Sequence, residues 1–275
     1  MRISGNLHCG EEKGLNYLYF PQLAATGLLR HAFSTRRGGA SAGEYSTLNL
    51  GLQVGDDRDC VIQNRRRFCR ALGTDLDSLV AARQEHTDNV AVVTAAERGC
   101  GAGDEATAIP ATDALITAEP GVVLSIYTAD CVPVLLLDPR RRAIGLVHAG
   151  WRGTVAGIVL KTLARMTAVF GTEPGDCLAG IGPSIGPCCY LVDEPVIRPL
   201  RERFSDWAEL VRPAGPGQWR LDLWEANRRQ LTAAGLLPVN VTVGGLCTAC
   251  RTDLFFSHRA EKGRTGRQAA GARLL

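Results

Sequence analysis

The sequence is short of several things, and each shortage excludes something. It has no run of the roughly 18–20 apolar residues that a membrane-spanning helix needs. Its first residues, MRISGNLHCGEEKG, lack the apolar core of a signal peptide. Net charge is small: +3 in 275 residues, too weak to point to nucleic acid or an anionic membrane as partner. Lysine is scarce, with only Lys13, Lys161 and Lys262. Nearly all positive charge is therefore arginine, which suits bidentate binding of phosphate or carboxylate, although genome composition accounts for the bias equally well. There are five histidines and no H-x-H pair, few for an enzyme with several coppers. Met166 is the only internal methionine. No internal repeat and no linker interrupt the chain. These absences predict one cytoplasmic domain over residues 1–275, without nucleic-acid or membrane partners. They say nothing of the number of protomers. Cysteine, by contrast, is plentiful: ten, expected as thiols in that compartment.

What is present is a string of short apolar runs between polar turns. Residues 1–20 read as a loosely ordered leader with a short strand, and the basic, Gly-rich residues 260–275 as a mobile tail. HAFSTRRGGAS (31–41) reads as a strand breaking into a Gly-rich turn, and VIQNRRRFCRALG (61–73) as an amphipathic helix closed by Gly73. LVAARQ (79–84) and VAVVTA (90–95) read as a strand pair joined by the polar turn EHTDN, followed by a surface loop over 98–112. VVLSIYT (122–128), VPVLLLD (132–138) and AIGLVHAG (143–150) are apolar on both faces, which predicts central strands. GTVAGIVLKTLARMTAVF (153–170) and WEANRRQLTAAG (224–235) have helical spacing; GIGPSIGPCCY (180–190) is a loop and VNVTVGG (239–245) a strand. The pattern predicts a single mixed α/β domain.

Three residues in this pattern suggest a metal. Pro139-Arg140-Arg141-Arg142 separates two of the central runs and predicts a β-hairpin. With Asp138 opposite Ala143, His148 falls opposite Pro133, and Cys131 shares the parity of residue 133. Cys131 and His148 then project from one face as diagonal neighbours, Cβ atoms roughly 7 Å apart. Two ligands of one ion suit that spacing, with Zn–S about 2.3 Å and Zn–N about 2.0 Å; a one-residue slip in register would part them. His86 lies at the mouth of the earlier strand pair, and spacing does not bring it to the other two. Taken singly, each has an ordinary structural reading: a hydrogen-bonded histidine, a cysteine packed as a small hydrophobe. In HAGWRG, His148 ends a strand and Gly150-Trp151-Arg152-Gly153 opens a helix, whose exposed N–H groups with Arg152 suit an anion. The alternative is a tight turn with a surface arginine. Cys247-x-x-Cys250 with Cys188-Cys189 is incomplete as a zinc-finger spacing; packing is the plainer reading and a closed site of four thiolates the other.

TADCVPVLLLD (128–138) with VHAGWRGTVAGI (147–158) resembles the signature of the purine nucleoside phosphorylase family also described as laccase-like polyphenol oxidases, whose bacterial members are called peptidoglycan editing factors. The resemblance continues in FSTRRGGAS, LNLGLQVGDD (48–57), NRRR (64–67), Gln84-x-His86, DALIT (113–117), IGPSIGPCCY, DLWEAN (222–227), CTAC and FFSHR (255–259), spanning residues 30–267 in order. It implies a layered αββα fold with mixed sheets, and His86, Cys131 and His148 as three zinc ligands. It also implies phosphorolysis of adenosine, inosine and methylthioadenosine, deamination of adenosine, and purine nucleosides and phosphate as partners. Ala40, where the family pattern has Val, and Glu85 inside Gln-x-His are departures that touch no ligand.

Three protein ligands would leave a coordination position open, the pattern of catalytic zinc. The H-x-E…P-C-x-x-C pattern of cytidine-deaminase-type enzymes is absent, so deamination here would be a separate chemistry. Asp130 is the candidate acid, base or supporting group, although strand alternation can also turn it away. Arg36, Arg65 and Arg152 are the candidate phosphate cradle, with Ser34 as a hydrogen-bond donor. Phe255 or Phe256 could stack a purine, but two apolar residues before a basic tail read more simply as core. Two rival activities use the same ligands. A copper oxidase would take two His and one Cys as its equatorial set, with Met166 as the axial ligand. A cell-wall precursor editing hydrolase would use the metal's water. A non-catalytic scaffold is disfavoured, because a closed structural site wants four protein ligands.

Overall fold

The central hairpin forms with the register that the spacing predicts. Asp138 pairs with Ala143 and Pro133 with His148, in antiparallel strands β9 (Val132–Asp138) and β10 (Ala143–Ala149). The computed structural model describes residues 2–4 and 6–275, with backbone alone for 2–4. Met1 and Gly5, part of the expected leader, lie outside the described residues.

Among the described residues, sixteen strands make three sheets. A six-stranded sheet runs in the order β15 (Val241–Val243), β11 (Leu178–Ile181), β9, β10, β7 (Ala114–Thr117), β6 (Val90–Val92). A seven-stranded sheet runs β1 (Arg2–Ser4), β2 (Leu7–Glu12), β3 (Leu15–Tyr19), β4 (Leu29–Ser34), β16 (Gln268–Leu274), β8 (Val123–Thr128), β5 (Leu79–Ala81). A small sheet joins β12 (Leu191–Asp193), β14 (Gln218–Leu221) and β13 (Val211–Gly215). Parallel pairs β5–β8, β6–β7 and β11–β15 within otherwise antiparallel sheets make the two large sheets mixed.

Side-chain parity decides how the layers stack. On β9 and β10, Leu135, Leu137, Ile144 and Leu146 meet Phe33, Val80, Ile126 and Ala270 of the other large sheet, so the two sheets pack face to face. The opposite parity, with Val134, Leu136 and Val147, packs under α4 (Ile158–Phe170) and α6 (Leu223–Ala233). The outer face of the seven-stranded sheet is covered by α2 (Arg58–Ala71) through Phe68, Cys69 and Leu72. The result is an αββα arrangement completed by α1 (Pro21–Ala24), α3 (Trp151–Ala156) and α5 (Glu194–Arg203). No helix among the described residues is long and apolar enough to cross a membrane.

Four expectations are corrected. Residues 7–19 are not a loose leader but the hairpin β2–β3, tied to β4. The tail is not mobile: β16 fills the middle of the seven-stranded sheet between β4 and β8. QAAGARL reads as weak strand by propensity, but burial on both sides favours small residues there, and position overrides propensity. The helix expected over 153–170 is two, because Gly157 takes a left-handed conformation (φ 77°) and caps α3 before α4 begins. Finally, β5 and β6 are not a strand pair; β5 belongs to one large sheet and β6 to the other. Phe255 and Phe256 are fully buried, as core.

Candidate metal centre

The last correction builds the site. The chain changes sheet three times at one end of the sandwich: residues 82–89 carry it from β5 to β6, residues 129–131 from β8 to β9, and residues 244–267 from β15 to β16. His86 sits on the first crossing in a left-handed conformation (φ 59°), and Cys131 on the second, after Asp130 at φ 88°. His148 projects from β10 toward the gap between the sheets, on the same side as Ile144 and Leu146. The ligand atoms of His86, Cys131 and His148 all lie within 4.8 Å of one another. The Cys131 Sγ to His86 Nε2 distance is 3.8 Å, and the two imidazoles meet edge to face with centroids 5.0 Å apart. The residues can hold one metal ion.

Asp113, at the start of β7, organises two of the three. Its Oδ1 lies 2.7 Å from His148 Nδ1, which leaves Nε2 for a metal and fixes the ring in the carboxylate–histidine arrangement common at such centres. The same carboxylate accepts the backbone N–H groups of Glu85 (3.2 Å), His86 (3.1 Å) and Thr87 (2.7 Å), together with the Thr87 hydroxyl (2.9 Å). Burial alone would raise this carboxyl, but His148 and the Thr87 donors hold it below the usual range. Burial likewise pushes the Cys131 thiol up; the charge and hydrogen bonds of His148, then of His86, outweigh it and bring the thiol down. His148 is the mirror case: burial lowers it, and Cys131 and Asp113 raise it. The two shifts are reciprocal: each of Cys131 and His148 favours the charged form of the other, and a metal cation at the trio would favour the thiolate in the same sense.

Gly150 makes room. A Cβ there would come within 3.0 Å of Cys131 Sγ and 3.1 Å of His86 Cδ2. Its φ of −65° is open to any residue, so the demand is purely steric. Gly150→Ala is therefore expected to fold, at a cost of about 1–3 kcal/mol for overpacking, while weakening metal retention at the trio. Thermal melting and metal content check both; unchanged metal retention would show that the trio yields easily.

A cleft of about 460 Å³ opens on the trio, walled by Tyr127, Trp151 and Tyr190 and edged by Gln53, Arg152, His258, Arg259 and Arg267. Of the expected substrate residues, only Arg152 lines it. Its guanidinium lies over the Trp151 ring at 4.4 Å and makes no hydrogen bond among the described residues. The structure spends the others elsewhere. Ser34 is fully buried and accepts the Ala269 N–H at 2.9 Å, pinning β4 to β16. Arg36 donates to the carbonyls of Ser46 and Thr252 and pairs with Glu261 at 2.8 Å. Arg65 is buried, and its donors go to the carbonyls of Leu50, Gly101 and Ala102. Asp130 borders the cleft, but its two oxygens take the Thr248 hydroxyl (2.6 Å) and the Arg259 N–H (2.7 Å). These two bonds tie the chain beside Cys131 to Thr248 and Arg259. Sequence reasoning missed Asp113, Gly150, Tyr127, Tyr190, His258, Arg259 and Arg267. Asp113 had a signal, a carboxylate at the head of a strand beside the one that ends in His148. Reading residues 260–275 as mobile masked Arg267. Met166 is fully buried on the inner face of α4, and it is not among the residues that line the cleft.

A two-sheet αββα frame with a His–Cys–His centre at the sheet crossings defines a class, and the sequence matches it. Residues 30–274 match the family described as multi-copper polyphenol oxidoreductase laccase, and the chain belongs to this family. Among its relatives, the purine nucleoside phosphorylase YlmD of Geobacillus stearothermophilus is 45% identical over 238 residues, 86% of this chain and 87% of that one. Adenosine deaminase RL5, from an unknown prokaryotic organism, is 36% identical over 242 residues, 87% and 92% of the two chains. The crystal structure of Geobacillus stearothermophilus YlmD superposes with a TM-score of 0.91 at 41% identity, covering 97% of this chain and 98% of that one. The crystal structure of Bacillus licheniformis YfiH also gives 0.91, at 37% identity, covering 100% and 98%.

Proposed function

We propose that this chain is a zinc-dependent purine nucleoside enzyme that splits adenosine, inosine and methylthioadenosine with phosphate and deaminates adenosine. The observation that carries the reading is one cleft joining the His86–Cys131–His148 trio, three aromatic walls and the unspent guanidinium of Arg152. The names of the relatives, a phosphorylase and a deaminase, support the substrate class.

The donor set fits zinc. One thiolate and two imidazoles are borderline-soft ligands, His148 is backed by Asp113, and Gly150 leaves space beside the trio. With three protein ligands, zinc supplies a Lewis acid with an open position, able to activate water or polarise a substrate oxygen. The chain's own residues do the rest. Tyr127, Tyr190 and Trp151 offer apolar rings for a purine. Arg152 offers a bidentate fork to phosphate at the mouth. In phosphorolysis a phosphate oxygen bonds to C1′ as the C1′–N9 bond breaks, and the departing base needs a proton. His258, whose imidazole makes no hydrogen bond among the described residues, stands at the cleft to shuttle it.

Incubating the purified protein with the three nucleosides, with and without phosphate, and identifying products tests the reading. Phosphate-dependent release of free base supports it. Muropeptide-precursor cleavage without nucleoside turnover would point to cell-wall editing instead, and a coloured, copper-loaded protein oxidising phenols to the laccase reading. Met166 packs against Gly145, on the face of β10 opposite His148, which argues against that last case. Arg152→Ala should raise the KM for phosphate roughly 10–100-fold, the worth of a charge-assisted hydrogen bond of about 1.5–3 kcal/mol. Metal content should not change. An unaltered phosphate KM would remove Arg152 from the cradle.

A further inference from the structure

We propose a second metal site, independent of the first: a closed zinc site of four thiolates from Cys188, Cys189, Cys247 and Cys250. The two cysteine pairs lie about sixty residues apart in sequence, yet all four Sγ atoms fall within 4.8 Å of one another. Cys250 Sγ is 3.4 Å from that of Cys188 and 3.3 Å from that of Cys189. A tetrahedron with Zn–S of about 2.3 Å has edges of about 3.8 Å, so small shifts of exposed side chains complete it. All four are free thiols.

The backbone around them is built for this meeting. Cys188 and Cys189 sit in a turn closed by the Cys189 and Tyr190 N–H groups on Gly186 O, and Cys247 and Cys250 in a turn closed by Arg251 N–H on Cys247 O. A bridge between Ser184 and Cys247 joins the two segments. The Gly186 N–H donates to Cys247 Sγ at 3.2 Å, an amide donation of the kind that stabilises a ligating thiolate. Gly186 is also where the segments touch; a Cβ there would stand 3.2 Å from Cys247 Cβ and 2.7 Å from the Trp224 ring.

Hydrophobic packing does not account for the cluster. A cysteine kept for packing is buried, and Cys188 and Cys250 are exposed. An all-sulfur donor set selects zinc over magnesium or calcium. Four protein ligands leave no open position, so the ion is structural, unlike the one at the trio. Its place explains a use. The first turn runs from Ile185 to Tyr190, both walls of the cleft. The second carries Thr248, whose hydroxyl holds Asp130 next to Cys131. The ion would clamp one cleft wall to the chain that carries the first site.

The test uses the full-length protein purified under reducing conditions. Zinc content is measured for the parent, for Cys131→Ala, and for the double variant Cys188→Ser/Cys250→Ser, both exposed positions that folding tolerates. The double variant should lose one equivalent of zinc that Cys131→Ala keeps, whether or not the trio holds metal. Maleimide labelling of the parent, read by mass spectrometry, is the second measurement. Cys188 and Cys250 should resist labelling until a strong chelator is added, then react quickly. Equal zinc in parent and double variant overturns the proposal. So does prompt labelling of both exposed cysteines in the untreated parent, or a native mass showing them joined as a disulfide.

Discussion

Cys131→Ala should give a folded protein that neither keeps the metal of the trio nor turns over nucleosides. Cys131 supplies the only anionic ligand among the three, and its side chain faces the cleft rather than the core. A structural zinc binds with roughly 10–16 kcal/mol over four ligands, so one ligand is worth about 3–4 kcal/mol, on the order of 10²–10³-fold in affinity. That is enough to empty the site in ordinary buffer. The loss should appear as metal content falling by one equivalent, with turnover at background and an unchanged circular dichroism spectrum. A Cys131→Ala protein that is metal-free at the trio and fully active would sink the proposed mechanism.

The second large effect is expected at Asp113. It touches no substrate, yet it holds His148 by the ring and the His86 loop by three backbone N–H groups. Asp113→Asn keeps the shape but turns one oxygen into a donor that faces other donors. Each orphaned buried donor costs about 1–3 kcal/mol. Two such losses lower the melting temperature of a chain this size by on the order of 5–10 °C. Separately, loss of the partner of a ligating histidine weakens metal binding about 10–100-fold. Melting the metal-free variant separates the two roles. An unchanged melting temperature there would mean that Asp113 does not clamp the loop and acts on the ligand ring alone.

The parts of the site differ in how far the sequence exposes them, for a physical reason. Cys131 and His148 sit on or next to a hairpin with a four-residue turn, where register follows from turn length and side-chain parity follows from the period of two. Local rules therefore relate them. His86 obeys no such rule. It lies on a crossing between two sheets, and the strands flanking it pair with β8 and β7, not with each other. The family motif tied it to the other two residues of the trio; spacing did not. The arginines divide in the same way. Arg36 and Arg65 look like binding residues in a string of letters, but folding surrounds them with backbone carbonyls and uses up their donors. Arg267 falls in the stretch read as a loose tail, but it leads directly into β16 of the seven-stranded sheet and lines the cleft, while Arg259 is held there by its N–H on Asp130 and its guanidinium on the Leu191 carbonyl.

By itself the sequence determined the apolar runs that become the central strands, the β9–β10 register, the helices α2 and α6, and the facing of Cys131 and His148. All follow from periodicity and turn chemistry, which act over a few residues. Only the tertiary structure decided that the chain crosses between sheets three times at one end, bringing His86 and Asp113 to that pair. It alone gathered Cys188 and Cys189 with Cys247 and Cys250, and chose which arginines stay free. Those outcomes depend on which strands pair over long separations and on which carbonyls then need donors, and short-range pattern carries neither.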